Sequence, residues 1–440
     1  VSVAALLASK RRTPADAAAV MRSGDVLAIP LAPAQPSAFL HALAERDDIT
    51  SLDVIVSLAS EAFALLERPG VRVLSGFWGP VERALAAAGR DAQFVPSDFR
   101  RYGRLIRRRN PRVIATLAAP PDAEGRMSLA LHAGGTVEEI HRCARDPERV
   151  LVVEINQRLP RTSGLLPAHP HCIALEEADV VLESERPLWT LPEAQASEVE
   201  RAIADHVRAF VPDGATLQTG IGAMPNEVAK LLAAGPGGDY GIHSEMFTTG
   251  LMHLYQAGKV TNRKGQHEGY SVCTFSGGTP ELYAWLDGND KVRFLPIDSV
   301  NEPGVIARNR RMISINAAVA VDLAGQVTAD TVLGRQHSGT GGHEDFVNGA
   351  SFSEGGHSLV CLPATARVDG RPVSRITARL PAGGVVTTPR HQVDVIVTEF
   401  GAAELAGRSV AERAAALAEI AHPDFRDELR EDAKRIAQER

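Results

Sequence analysis

Cysteine and lysine are scarce in this chain, and strong charge of either sign is missing. Four cysteines occur in 440 residues (Cys143, Cys172, Cys273 and Cys361), and no two form a C-x-x-C pair. That spacing argues against a disulfide framework or a cysteine zinc cluster and fits a reducing compartment, so a cytoplasmic protein is expected. Six lysines stand against 41 arginines. Such a bias reflects composition more than function, and it weakens the meaning of any single arginine cluster. The net charge of −7 gives no electrostatic reason to bind nucleic acid. No apolar run is long enough to cross a bilayer, and the first thirty residues have no basic-then-apolar signal pattern, so no membrane partner is expected. Several catalytic signatures are also missing. There is no G-x-S-x-G elbow, no H-E-x-x-H, and no cysteine nucleophile in a local signature.

What remains is a soluble globular composition, 44% hydrophobic and 23% charged, in a chain long enough for two cores. Short apolar runs alternate with stretches of helical period. The runs include DVLAIPLA (25–32), LDVIVSLA (52–59), VRVLSG (71–76), RVLVVEIN (149–156) and ADVVLE (178–183). PSAFLHALAER (36–46) and GPVERALAAAG (79–89) carry apolar residues at three- and four-residue spacing. Continuous apolar strands between amphipathic helices predict α/β layers on a mainly parallel sheet.

The polar stretch ESERPLWTLPEAQ (183–195) breaks the pattern and reads as a linker. It separates an N-terminal α/β domain (1–185) from a C-terminal one (195–440). A faint repeat relates them. GDVLAIPLAPAQPSAFLHALA (24–44) aligns with GATLQTGIGAMPNEVAKLLA (214–233) as glycine, strand, loop, proline and helix. The final forty residues read as covering helices, with Pro423 opening the last.

Four stretches are candidates for chemistry. In TGIGAMPNEV (219–228), glycines between a strand and a helix can turn backbone N–H groups towards an anionic oxygen. The plainer reading is a tight turn, because Pro225 spoils the dinucleotide fingerprint. HSGTGGHEDF (337–346) packs Gly339, Gly341 and Gly342 into four positions and can gather N–H donors at one point. A surface loop explains it equally well. His337 and His343 lack a third ligand at metal spacing, so no metal is expected. In GIHSEMFTTG (241–250), Glu245 reads most simply as a first-turn helix carboxylate. RRYGRLIRRRNPR (100–112) holds seven arginines, which a solvated helix face explains better than RNA.

The C-terminal motifs, taken together and in order, resemble the acetyl-CoA hydrolase/transferase family. They are GIGAMPNEVA, GIHSEMFTTG, VNEPGVIARNRRMISINAAVAVDLAGQVTAD (300–330), SGTGGHEDFVNGASFS (338–353), SRITARLPAGGVVTTPRHQVDVIVTEFGAAELAGRS (374–409) and ERAAALAEIAHPDFRDEL (412–429). The resemblance is dense from residue 195 to 430. Before that it is thinner, in GFWGP (76–80), APPDAEGRMSL (119–129) and VEINQRLPRTSG (153–164).

The resemblance implies two similar open α/β domains with the active site in the cleft between them. It implies Glu245 as nucleophile, with backbone N–H groups of Ile221 and Gly342 as an oxyanion hole. Asn301 is implied beside the reacting centre, and Glu399 lining the site. Coenzyme A is implied to contact Gly220, Ile221, Gly222, Ala223, Met224, Pro225, Gly341, Gly342 and Arg367, with no cofactor beyond coenzyme A as substrate. The implied partners are an acyl-CoA, a small carboxylic acid and a second copy of the chain.

Two positions depart from the family's habit: IPLAPAQP (29–36) has no glycine in the first-domain loop, and His343 stands where glutamine is common. Transferase and thioesterase of the same fold remain alternatives here, as does a CoA-binding protein without activity.

Overall fold

The computed structural model describes residues 2–132 and 134–438. The chain divides into two compact units, Val1–Leu191 with Val272–Val300, and Pro192–Ser271 with Asn301–Arg440. The segment Val272–Val300 therefore joins the first unit, although the sequence reading placed it in the C-terminal domain. Backbone bonds explain why: Ser276 donates to Leu131, Gly288 to Arg161, and Phe294 to Ser163. Residues 185–197 form neither helix nor strand, whereas Glu183 and Ser184, read from the sequence as the start of the linker at 183–195, end a strand.

The first unit is built on seven parallel strands: β1 (Asp25–Ala28), β2 (Leu52–Val56), β3 (Val71–Ser75), β4 (Ala92–Phe94), β5 (Val113–Ala118), β6 (Val150–Asn156) and β7 (Val180–Ser184). Their order is β4-β3-β2-β1-β5-β6-β7. A sheet covered on both faces needs strands that are apolar throughout, and every residue of β5 is buried. Helix α1 (Ser37–Ala44) lays Phe39, Leu40 and Leu43 against Leu27, Val54 and Val73. The glycine-free loop between β1 and α1 forms a 3-10 turn at Ala32–Ala34 and wraps around buried Gln35. The Gln35 amide donates to the Pro30 carbonyl at 2.9 Å and accepts from the Ser60 N–H at 2.8 Å. A side chain thus satisfies this loop's backbone, and no glycine turn is required.

The arginine-rich stretch forms helix α2 (Tyr102–Arg109). Tyr102 and Ile106 face inward, Arg107 pairs with Glu138 and Glu139, and Arg104, Arg108 and Arg109 are exposed. The solvated-face reading accounts for it.

The second unit repeats the plan with β8 (Thr216–Thr219), β9 (Gly241–Ile242), β10 (Met312–Ala317), β11 (His357–Cys361), β12 (Val395–Thr398) and β13 (Gly401–Glu404). The order is β9-β8-β10-β11-β12-β13, parallel except for the terminal hairpin β12–β13. Helix α3 (Ala223–Ala234) follows β8, α4 (Thr249–Gln256) follows β9, and α5 (His343–Ser351) precedes β11. Helices α6 (Val410–Glu419) and α7 (Pro423–Gln438) bury Ala414, Leu417, Ala418, Leu429 and Ala433 among Val360, Ile396 and Leu405.

The repeat read from the sequence is real at the level of topology. In each sheet the first strand, β1 or β8, has the next strand on one side and a later one on the other. The chain therefore reverses direction across the sheet at these strands. At such a switch point the loops beyond the strands' C-terminal ends splay apart and leave room for a ligand.

Candidate active site

The site grows from the C-terminal ends of β8 and β9. After Thr219 the chain turns through Gly220–Gly222 into α3. Gly222 has φ +118°, a conformation that side chains rarely adopt. A Cβ at Gly220 or Gly222 would meet nothing within 4 Å, so the space over this turn is open. Ile221 is 52% exposed despite its apolar side chain, while Met224 and Pro225 are buried in the first turn of α3.

Strand β9 is only two residues long, and its edges are held by side chains. The Asn262 carboxamide oxygen accepts from the Ile242 N–H at 3.0 Å, and the Lys264 side chain packs on Gly241. Beyond β9, His243 donates its N–H to the Leu217 carbonyl, and Ser244 Oγ donates to the Thr219 carbonyl at 3.4 Å. These bonds tie the residues before Glu245 to the glycine turn. Helix α4 does not begin until Thr249, capped by the Thr248 hydroxyl. Glu245 therefore lies before α4 and not in its first turn, where the plain sequence reading places it.

Two other elements meet Glu245. Asn301 is fully buried just before a short helical turn at Pro303–Ile306. Its Nδ2 donates to Glu245 Oε2 at 2.7 Å and to Asp345 Oδ2 at 3.1 Å. Gly342, the N-cap of α5, packs against the same atoms. A Cβ on it would lie 2.1 Å from Glu245 Oε2 and 2.4 Å from Asn301 Nδ2. Its φ of −93° is open to any residue, so glycine is needed there for closeness and not for conformation. Gly341, at φ +55°, makes the bend that delivers Gly342 to the carboxylate.

Burial pushes the Glu245 carboxyl from its ordinary 4.5 up to about 7, with the Asn301 hydrogen bond pulling the other way. Near pH 7 the ionised and the protonated forms of this carboxyl are therefore both populated. His343 is buried in the first turn of α5. Burial drops its imidazole to about 4, so it is neutral, and its Nε2 lies 2.9 Å from Thr388 Oγ1. That hydroxyl donates its own hydrogen to Glu344, so His343 Nε2 carries the proton. No cluster of three or more metal-binding side chains occurs among the described residues.

Two further residues from the sequence reading, Glu399 and Arg367, make their hydrogen bonds to other partners. Glu399 follows β12, four strands along the sheet from β9. Its Oε2 accepts the Ala364 N–H at 2.7 Å, and its charge faces half-buried Arg375. Arg367 is exposed on the hairpin Thr365–Val368/Arg371–Ser374 and donates to the Gly370 carbonyl. One residue was not singled out from the sequence. Asp345 is 1% exposed and shares the Asn301 amide with Glu245. Its signal was present, an acidic residue three places after the last glycine of GTGG, but first-turn carboxylates are common.

Comparison with known proteins identifies the family. Over 429 residues the chain is 37% identical to a succinyl-CoA:cyclohexane-1-carboxylate CoA transferase of Geobacter metallireducens, covering 96% of this chain and 95% of that protein. The chain belongs to the acetyl-CoA hydrolase/transferase family. The model of that family's C-terminal domain matches residues 278–433. A 4-hydroxybutyrate coenzyme A transferase of Clostridium kluyveri is 38% identical over 362 residues, 82% of this chain and 81% of that one. The crystal structure of RipA from Yersinia pestis superposes with a TM-score of 0.89 at 36% identity, over 99% of this chain and all of that one. An acetyl-CoA hydrolase of Candida albicans is more distant, at 25% identity over 64% of this chain and 58% of that one. The protein is an enzyme of the CoA-transferase family. Among its described residues no helix is long and apolar enough to cross a membrane.

Proposed function

We propose that the enzyme moves coenzyme A between a small acyl-CoA and a short-chain or hydroxy carboxylic acid, with Glu245 as covalent carrier. The observation that carries this reading is the Glu245 carboxylate held by Asn301 with the Gly342 backbone packed against it. A carboxylate buried for structural reasons is normally enclosed by several donors. Glu245 is only partly buried and, among the described residues, has one side-chain amide donor, a bare glycine beside it, and an open glycine turn reached through Ser244.

The ionised carboxylate attacks the thioester carbonyl, and the N–H groups of Ile221 and Gly342 receive the developing oxyanion. Losing one such donor typically costs about 3 kcal/mol, a hundredfold or more in rate. The C–S bond breaks and CoA leaves as thiolate, giving a mixed anhydride on Glu245. The thiolate attacks the Glu245 carbonyl and expels the first acid as its carboxylate, leaving a glutamyl-CoA thioester. A second carboxylate attacks that thioester and displaces the thiolate. The thiolate then attacks the acyl carbon of the new anhydride, releasing the second acyl-CoA and free Glu245. Every bond broken is replaced by one of its kind, so neither metal nor redox cofactor enters the cycle.

In this reading Asn301 holds Glu245 in line, and the Gly220–Pro225 turn, Gly341 and Arg367 contact coenzyme A. The test is the dependence of acyl-CoA consumption on added carboxylate. Transfer requires that a new acyl-CoA appear in step with loss of the old. Equal consumption with and without acceptor, with free thiol accumulating, identifies a hydrolase instead.

A further inference from the structure

We infer that Asp345 is a positioning residue for the transfer reaction, acting through Asn301; the inference rests on Glu245 being the nucleophile. The Asn301 amide can sit in two orientations related by a half-turn, one presenting N–H groups to Glu245 and the other presenting its carbonyl oxygen. Only the first favours an ionised nucleophile. The Glu245 carboxyl, held near 7, cannot enforce that orientation by itself. Protonated, it donates to an oxygen as readily as, ionised, it accepts from an N–H.

Asp345 removes the ambiguity. Its Oδ2 lies 3.1 Å from the same Nδ2 that reaches Glu245. An ionised carboxylate only accepts hydrogen bonds, so turning the amide over would set Asn301 Oδ1 against Asp345 oxygen, lone pair to lone pair. Asp345 occupies the third position of α5, where the helix dipole favours the charged, acceptor-only form. It is 1% exposed and Asn301 is fully buried, so water cannot take over either contact. One NH2 group thus spans two carboxylates. Asp345 fixes the orientation of the amide, and Glu245 receives a fixed donor. The same helix start carries Gly342, so one element supplies both the close backbone approach to Glu245 and the anchor for its partner.

The test is a double-mutant cycle between Asp345→Asn and Asn301→Ala, read as kcat, KM and melting temperature. Asparagine keeps the shape of Asp345 but can face Asn301 with either end. It is expected to lower kcat about ten- to a hundredfold, the scale of a misplaced reacting group, with KM for acyl-CoA changed little. In the Asn301→Ala background the same substitution should have almost no further effect, because the residue it acts through is gone. If Asp345→Asn gives no folded protein, Asp345→Ser carries the same cycle. Wild-type kcat in the single variant, or losses that multiply in the double variant, overturns the inference. Glu245→Ala run alongside keeps the two claims apart. An active Glu245→Ala enzyme removes the nucleophile reading itself, whereas an inactive one beside a neutral Asp345→Asn removes only the role of Asp345.

Discussion

Replacing Glu245 by glutamine should abolish transfer and at the same time stabilise the fold, with a pH dependence that identifies the cause. In the folded protein this carboxyl is held at about 7, against an ordinary value of 4.5. Between those values the folded state binds more proton than the unfolded chain, so stability falls as pH rises through the window and levels off above it. At 1.36 kcal/mol per pH unit, the ionised side chain costs the fold about 3 kcal/mol at pH 8 and almost nothing at pH 4. Glutamine has nearly the same shape, can still meet Asn301, and does not ionise. The variant's advantage should therefore grow from pH 5 to pH 8. For a unit of this size about 1 kcal/mol shifts the Tm by roughly 2–4 °C, so the two curves of Tm against pH should diverge by roughly 6 °C or more. The measurement is thermal melting of both proteins across that range. Parallel curves would refute the reasoning, since they would mean that Glu245 titrates alike in folded and unfolded chains.

Other substitutions test neighbouring parts of the account. Gly342→Ala would bring a Cβ to 2.1 Å from Glu245 Oε2, and relieving it moves the carboxylate by roughly 1 Å. Steady-state kinetics should find kcat/KM down about a hundredfold with the fold intact. His343→Gln should keep most activity, because a glutamine N–H can replace the neutral imidazole's bond to Thr388; inactivation would mean the ring does more than donate. Arg367→Ala should raise KM for acyl-CoA about tenfold at unchanged kcat if this exposed guanidinium meets a phosphate of coenzyme A, as one charge-assisted hydrogen bond would predict.

The α/β architecture was legible because period and composition agreed. Val150–Asn156 and Leu52–Val56 are apolar enough to be central parallel strands and could be little else. The repeat was legible too, because a strand, turn and helix unit leaves the same trace twice. The path of Val272–Val300 was not, since its attachment to the first unit depends on backbone bonds to Leu131, Arg161 and Ser163 more than a hundred residues away. At the site, glycine spacing marked Gly342 but could not say whether the glycine served conformation or closeness. Contact with Glu245 decides for closeness. Glu245 itself looked like a helix-start carboxylate because Thr248 and Thr249, the real start, lie one turn further on. Asp345 escaped notice because its importance lies in sharing one amide with a residue a hundred positions earlier, and no local pattern encodes that.

The central claim is that Glu245 carries the transferred groups covalently. Intact-protein mass spectrometry after mixing enzyme with acyl-CoA tests it most directly. The account predicts a CoA-sized adduct that hydroxylamine removes and that peptide mapping places on Glu245, with no adduct on Glu245→Gln. An active enzyme that never gains this mass, or gains it at another residue, would contradict it.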